Sequence, residues 1–234
     1  MTPMPNDGNG RGGPHGIDPG RVRATVFDLG GVFIADSVQN VERFGRAVGL
    51  SDEQWADLRR GLFLEAGWWD RLERAEISLD AFAEELRRRL AGYGIKLTRE
   101  RARNFMGSPG DPGRMPLRRE IVAAAEAIHA VMPTALLTNN VVEWRAGWRA
   151  RLDVAGLFDF VIDSSEVGMR KPEERIYALT EETIGLPGEA LFFVDDLGMN
   201  LKPARARGWQ TLKYEDTGQV LEVLGALAQR PRGR

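Results

Sequence analysis

The sequence has no cysteine. That removes a disulfide framework, a thiolate metal site and a cysteine nucleophile together. It fits a reducing compartment, and a cytoplasmic location is expected. Histidine is almost as scarce, with two in 234 residues. His15 lies in an opening stretch rich in Gly and Pro, which leaves His129 alone in the body, so multi-histidine metal centres and two-histidine mechanisms are excluded. No apolar run is long enough to span a bilayer, and residues 1–21 lack the apolar centre of a secretory signal. Strong net charge is missing too. A formal value of −2 marks neither a nucleic-acid nor a membrane-surface binder. Lysine is rare, four against 28 arginines, which makes the place of each lysine informative.

What remains is an ordinary globular composition, 43% hydrophobic and 28% charged, with room for one α/β domain carrying an insertion. Residues 1–21 cannot bury enough surface to order themselves and are expected to form a disordered tail. Residues 230–234 read as a frayed basic end. Short apolar runs at Ala24–Leu29, Thr134–Leu137, Phe160–Ile162 and Ala190–Val194 read as buried strands, with a weaker fifth at Gln210–Tyr214. Between them, Leu117, Ile121, Ala124, Ile128 and Val131 recur at helical spacing, as do Val220, Leu224 and Leu227. Buried strands alternating with helices predict a doubly wound parallel sheet over 22–35 and 117–229. The hundred residues between the first two strands exceed what one crossover needs. They hold helix starts instead. Ser51 to Gln54 has capping-box form, and Ser78 precedes Leu79, Phe82, Leu86 and Leu90. Residues 36–116 are therefore expected to form a helical cap over the sheet's carboxyl end. No interface stripe stands out, so oligomeric state is left open.

Ligands of open α/β sheets bind at the carboxyl ends of the strands. Those ends carry Asp28, then Thr138-Asn139-Asn140, then Ser164-Ser165 followed by Lys171-Pro172, then Asp195-Asp196. Each alone has a bland reading as a turn, a helix cap or a helix start. Together they gather three carboxylates, a hydroxyl and an ammonium group on one edge. Carboxylates so close repel unless a cation lies among them, and an all-oxygen set suits magnesium. A cation between Asp28 and Asp196 would let Asp28 attack a phosphate dianion. Thr138 and amides near Asn139 could hold phosphate oxygens, and Lys171 could supply charge.

These segments resemble the haloacid dehalogenase superfamily, in the subgroup whose cap lies between the first and second motifs. The motifs are VFDLGGVF with Asp28, ALLTNN with Thr138, SSEVGMRKPEERIY with Lys171, and FFVDDLGMNLKPARARGW with Asp195, Asp196 and Asn200. The third and fourth especially resemble the N-terminal phosphatase domain of soluble epoxide hydrolases. In the cap the likeness rests on RLERAEISLDAFAEEL. The resemblance implies a Rossmann-like core and a magnesium-dependent phosphatase acting on a small phosphorylated metabolite. It implies Asp28 as nucleophile, and Asp28, the Gly30 carbonyl and Asp196 as metal ligands. Gly31, Thr138, Asn139 and Lys171 would bind substrate. Asp195 would stand behind the metal site, braced by Asn200. One departure is Gly30, where most phosphatases of this family carry an aspartate that protonates the leaving group, help worth about 10²–10⁴ in rate.

Two other enzyme-like readings are weaker. Carbon–halogen hydrolysis needs no metal and leaves the paired Asp195-Asp196 without purpose. A receiver domain carries its acidic pair at the first strand, not the fourth, and has no large insertion. The non-enzyme alternative is a phosphate-binding or scaffold protein that lost turnover at Gly30. Trp68 and Trp69 are expected to pack rather than bind, His129 to be a surface or packing residue of its helix, and Arg87–Arg89 to form a solvated face.

Overall fold

The computed structural model describes residues 13–35, 38–64, 67–105 and 116–229, with the side chains of 38–41 left aside. Five strands, β1 (Ala24–Phe27), β2 (Thr134–Thr138), β3 (Phe160–Asp163), β4 (Leu191–Asp195) and β5 (Gln210–Lys213), form one sheet in the order β3-β2-β1-β4-β5. Every pairing is parallel. Between β1 and β2 come α1 (Val38–Ala47), α2 (Asp52–Arg59), α3 (Trp68–Glu73), α4 (Leu79–Gly92), α5 (Arg99–Arg103) and α6 (Arg119–His129). Then follow α7 (Arg145–Arg149) and α8 (Val154–Leu157) before β3, α9 (Ser164–Val167) and α10 (Glu174–Ile184) before β4, α11 (Gly198–Ala206) before β5, and α12 (Thr217–Ala228).

Side-chain alternation explains the layers. Phe27, Leu136 and Phe192 point to one face, where Ile121, Ile128 and Val220 of α6 and α12 cover them. Val26, Leu137 and Phe193 point to the other, under Ile176 of α10 and Leu201 of α11. A side chain of this size, fully buried, contributes about 1.5–3 kcal/mol, so a sheet covered on both faces reads as continuous apolar strands. The sheet grows from β1 towards β2 and β3 on one side and towards β4 and β5 on the other. The crevice between β1 and β4 is therefore the point where the winding reverses, and there a doubly wound sheet opens for a ligand.

Residues 38–105 have an apolar centre of their own, built from Leu58, Leu62, Leu72, Phe82, Leu86 and Leu90. Ser51 caps α2 with the reciprocal Gln54 bonds of a capping box, and Ser78 caps α4. Trp69 packs edge-on against Phe82 and Phe105 at 5.6 and 5.9 Å. Val141 and Trp144, which follow β2, join the same cluster. This helical insertion is thus seated against the carboxyl end of the sheet. Arg87, Arg88 and Arg89 pair with Glu84 and Glu85 along α4. His129 bonds the Gly156 carbonyl and Asp159 at the rim of the sheet.

The N-terminal tail needs a correction. Composition predicts disorder through residue 21, and residues 1–12 lie outside the described residues. Residues 13–21 instead pack along β5 and α12. Ile17 is 3% exposed within the core cluster, and the Asp18 backbone exchanges two hydrogen bonds with the Gln210 side chain. An average over a polar, Gly-rich stretch misses a single apolar anchor. The expected basic end, 230–234, also lies outside the described residues. Among the described residues no helix is long and apolar enough to cross a membrane.

Candidate active site

Register brings the acidic groups together. Phe27 lies beside Val194, and the Asp28 amide donates to the Val194 carbonyl at 3.0 Å, so Asp28 and Asp195 end neighbouring strands. Carboxylate oxygens of Asp28, Asp195 and Asp196 all lie within 4.8 Å of one another. The Lys171 ammonium stands between two of them, 2.8 Å from Asp28 Oδ1 and 2.7 Å from Asp195 Oδ2. Lys171 is 1% exposed, and its Nζ also lies 5.4 Å from the centre of the Phe193 ring. A buried ammonium is costly without partners, and this one has two carboxylates.

Burial pushes the Asp28 carboxyl well above the usual carboxylate range; Lys171 pulls it down, while Asp195 and Asp196 push it further up. Burial lowers the Lys171 ammonium, yet the charges and hydrogen bonds of Asp195 and Asp28 outweigh it and leave the group above its ordinary value. Three carboxylates against one ammonium leave room for a hard cation. The donor set, a cluster of carboxylate oxygens, fits magnesium.

Asp195 is the last residue of β4, one later than the apolar run suggests, and is fully buried. Besides Lys171 it accepts the Asn200 side-chain amide on both oxygens, each at 3.0 Å, and the Leu197 amide at 2.8 Å. Its oxygens are taken up by this brace, whereas Asp196 is only half-buried, with its carboxylate against Gly31. Tyr177, buried on α10, donates to the Asn200 carbonyl at 2.6 Å and holds the brace from beneath.

The two glycines after Asp28 differ. Gly31 has φ +75°, and a Cβ there would fall 2.1 Å from Asp196 Oδ2. Its amide donates to the Ile34 carbonyl at 2.8 Å, and the missing side chain at Gly31 leaves space for Asp196. Gly30 has no such conformation, and a Cβ there meets nothing within 4 Å. The loop behind both is held by Arg118, whose Nη1 donates to the Gly31 and Val32 carbonyls at 2.6 and 3.0 Å.

Thr138 ends β2 and is buried, next to Leu29 when the β1–β2 register is continued. Asn139 is at the same edge, but its side chain is engaged. It accepts the Lys171 amide at 2.8 Å and donates to the Lys171 carbonyl at 2.9 Å. It also donates to Glu73 of α3 at 3.2 Å. Glu73, 6% exposed, does not stand out in the sequence. Its signal there is slight: an acidic residue beside Leu72 at the end of a helix whose other carboxylate is more exposed. Arg170, Tyr177 and Arg118 escape sequence reasoning as well, because their partners are distant in the chain.

A family model for haloacid dehalogenase-like hydrolases matches residues 22–208. The chain belongs to this family. Among similar proteins, bifunctional epoxide hydrolase 2 of the pig is 30% identical over 218 residues, 87% of this chain. The chain spans only 38% of that relative's length. A phosphatase of Mycobacterium tuberculosis is 28% identical over 223 residues, covering 88% of this chain and 96% of the relative. Among solved structures, a haloacid dehalogenase family enzyme from Bacteroides thetaiotaomicron, in complex with magnesium and inorganic phosphate, aligns with TM-score 0.58 at 21% identity, over 85% of this chain and 98% of that one. At that identity the likeness speaks for the fold: a parallel sheet of Rossmann type flanked by helices. The chain is accordingly a hydrolase of the haloacid dehalogenase family with phosphatase homologues.

Proposed function

We propose that this hydrolase is a magnesium-dependent phosphatase that cleaves a small phosphate monoester through an aspartyl-phosphate on Asp28. The observation that carries the reading is the cluster of Asp28, Asp195 and Asp196 with the Lys171 ammonium between the first two. Asp28 and Asp196, with the Gly30 carbonyl, would hold magnesium. Its charge would oppose the burial and the Asp195 and Asp196 repulsion that raise the Asp28 carboxyl, and would screen the phosphate from the attacking carboxylate.

The chain's own groups perform the rest. An Asp28 carboxylate oxygen adds to phosphorus, and the bond to the leaving oxygen breaks. Lys171 stays beside Asp28 and stabilises the charge gathering on the phosphoryl group. The Thr138 hydroxyl and the backbone near Asn139 orient the phosphoryl oxygens, and water then hydrolyses the aspartyl-phosphate. Asp195 and Asn200 do not touch the substrate. They fix Lys171 and the loop that carries Asp196. The residues from 38 to 105 would act as a cap over this edge.

Two observations bear on competing readings. Gly30 offers open space where a proton donor would serve, which favours a phosphate-binding or scaffold protein with slow turnover as the second reading. Metal-free carbon–halogen hydrolysis would leave three clustered carboxylates with no cation besides Lys171 to balance them. Activity on an aryl phosphate sets the leading reading apart from both. It should vanish with a chelator and return with magnesium, and Asp28→Asn should abolish it in a folded protein. Full activity after chelation would sink the metal role, an active D28N protein the nucleophile, and an inert wild type the phosphatase reading.

A further inference from the structure

We infer that Glu73, supplied by the insertion, is a positioning residue for the site, holding Asn139 and the Lys171 segment in register with the aspartates. This rests on the phosphatase reading for its kinetic consequence, though not for its structural one. Glu73 is the last residue of α3, and its carboxylate is shared among three elements. Oε2 accepts from Arg170 Nε at 2.5 Å and from Asn139 Nδ2 at 3.2 Å. Oε1 accepts from Trp69 Nε1 at 2.8 Å. Its backbone carbonyl accepts the Ser164 hydroxyl at 2.7 Å, and Ser164 Oγ in turn receives the Asn140 amide at 2.9 Å. One residue of the insertion thus ties the loop after β2 to the loop after β3.

The path to the reacting edge is short. The Asn139 side chain pairs with both the amide and the carbonyl of Lys171, and Arg170 is the residue before Lys171. Arg170 is held a second time from α3 by Asp70 Oδ1 at 3.0 Å. Lys171 then has one extended side chain with which to reach Asp28 and Asp195, so the placing of its backbone sets where the ammonium falls. Burial raises the Glu73 carboxyl, with the Arg170 charge opposing, so its environment is costly for a purely structural glutamate. A surface ion pair would tie the insertion down with less desolvation. What the buried position adds is a rigid connection, and a reacting group misplaced by about 1 Å loses about 10²-fold in rate.

The test is a double-mutant cycle of Glu73→Gln and Asn139→Ala in the full chain. Two readouts are taken, magnesium-dependent aryl-phosphate kinetics and hydrogen exchange of segments 139–141 and 168–173. Glu73→Gln keeps a hydrogen-bond acceptor and nearly the same volume, so it should fold. Each variant should lower kcat about tenfold with KM within about twofold. The double variant should be no worse than the poorer single, and Glu73→Asp should fall between wild type and Glu73→Gln. Exchange in both segments should rise at least severalfold in Glu73→Gln while α12 stays protected. Multiplicative losses, or unchanged exchange in those segments, would overturn the inference. If the wild type hydrolyses no phosphate, the phosphatase reading fails, and the exchange measurement alone decides the position of Glu73.

Discussion

At the strand edge Lys171 and Asp195 are shielded from water and Asp28 nearly so, while in the insertion the pairs Arg87–Glu84, Arg99–Asp80 and Arg59–Glu42 stand in solvent. Exposed pairs of that kind contribute little and tolerate loss. Buried charges cost several kcal/mol each before their partners repay it. The two regions are therefore stabilised by different things. The insertion rests on its aromatic and aliphatic centre, whereas the edge holds a charge arrangement that packing alone would not select. Glu73 belongs to the insertion by sequence and to the edge by environment.

If the edge is filled to that degree, one added methyl should be intolerable at one glycine and harmless at the next. Of the two, Gly31→Ala should produce the large loss. The methyl falls on the Asp196 carboxylate and the backbone has φ +75°, so kcat/KM should drop by about 10²-fold or more, and the magnesium requirement should rise. Steady-state kinetics with a magnesium titration measure both, and a wild-type titration curve would mean Asp196 is not a ligand. Gly30→Asp should do the opposite. Its Cβ meets nothing within 4 Å and the backbone needs no glycine, so a carboxylic acid can be added there without strain. Alkyl phosphates, whose leaving oxygen needs a proton, should speed up by about tenfold or more, while aryl phosphates should change little. Equal acceleration of both, or neither, would show that another group already supplies the proton.

The same contrast explains what could be read in the sequence. Parallel strands end at a common edge, so the fold class alone gives a location to any residue that directly follows an apolar run. Asp28, Thr138 and the Asp195-Asp196 pair are legible for that reason, and the sheet with them, while Lys171 is legible because lysine is rare and this one follows the third strand by a short stretch. The β4 boundary moved by one residue because Asp195, although charged, is paired by Lys171 and Asn200 and stays in the strand. Glu73 and Arg170 were not legible. They meet across 97 positions through packing of α3 that no periodicity encodes. Gly31 and Gly30 could not be told apart either, since only the positive φ and the neighbouring Asp196 distinguish them.

The smallest expected effect concerns the stability of Glu73, where function and stability are set against each other. Burial raises its carboxyl in the folded chain, and Arg170 only partly offsets this. Below the ordinary glutamate range the carboxyl is protonated in both folded and unfolded chains, and wild type should match Glu73→Gln. As the pH rises, the unfolded chain releases its proton first, which favours unfolding. The wild type should therefore lose stability relative to Glu73→Gln until the pH passes the raised folded value, above which the gap stays constant. Denaturant midpoints of the two proteins from about pH 4 to about pH 8, compared pairwise so that other titrations cancel, measure the gap. A glutamine variant at least as stable as wild type at neutral pH, yet slower in turnover, means that the ionised carboxyl is kept for the geometry of Lys171. A wild type whose advantage grows with pH would mean that the Arg170 pairing outweighs burial, and Glu73 would then be an ordinary structural ion pair.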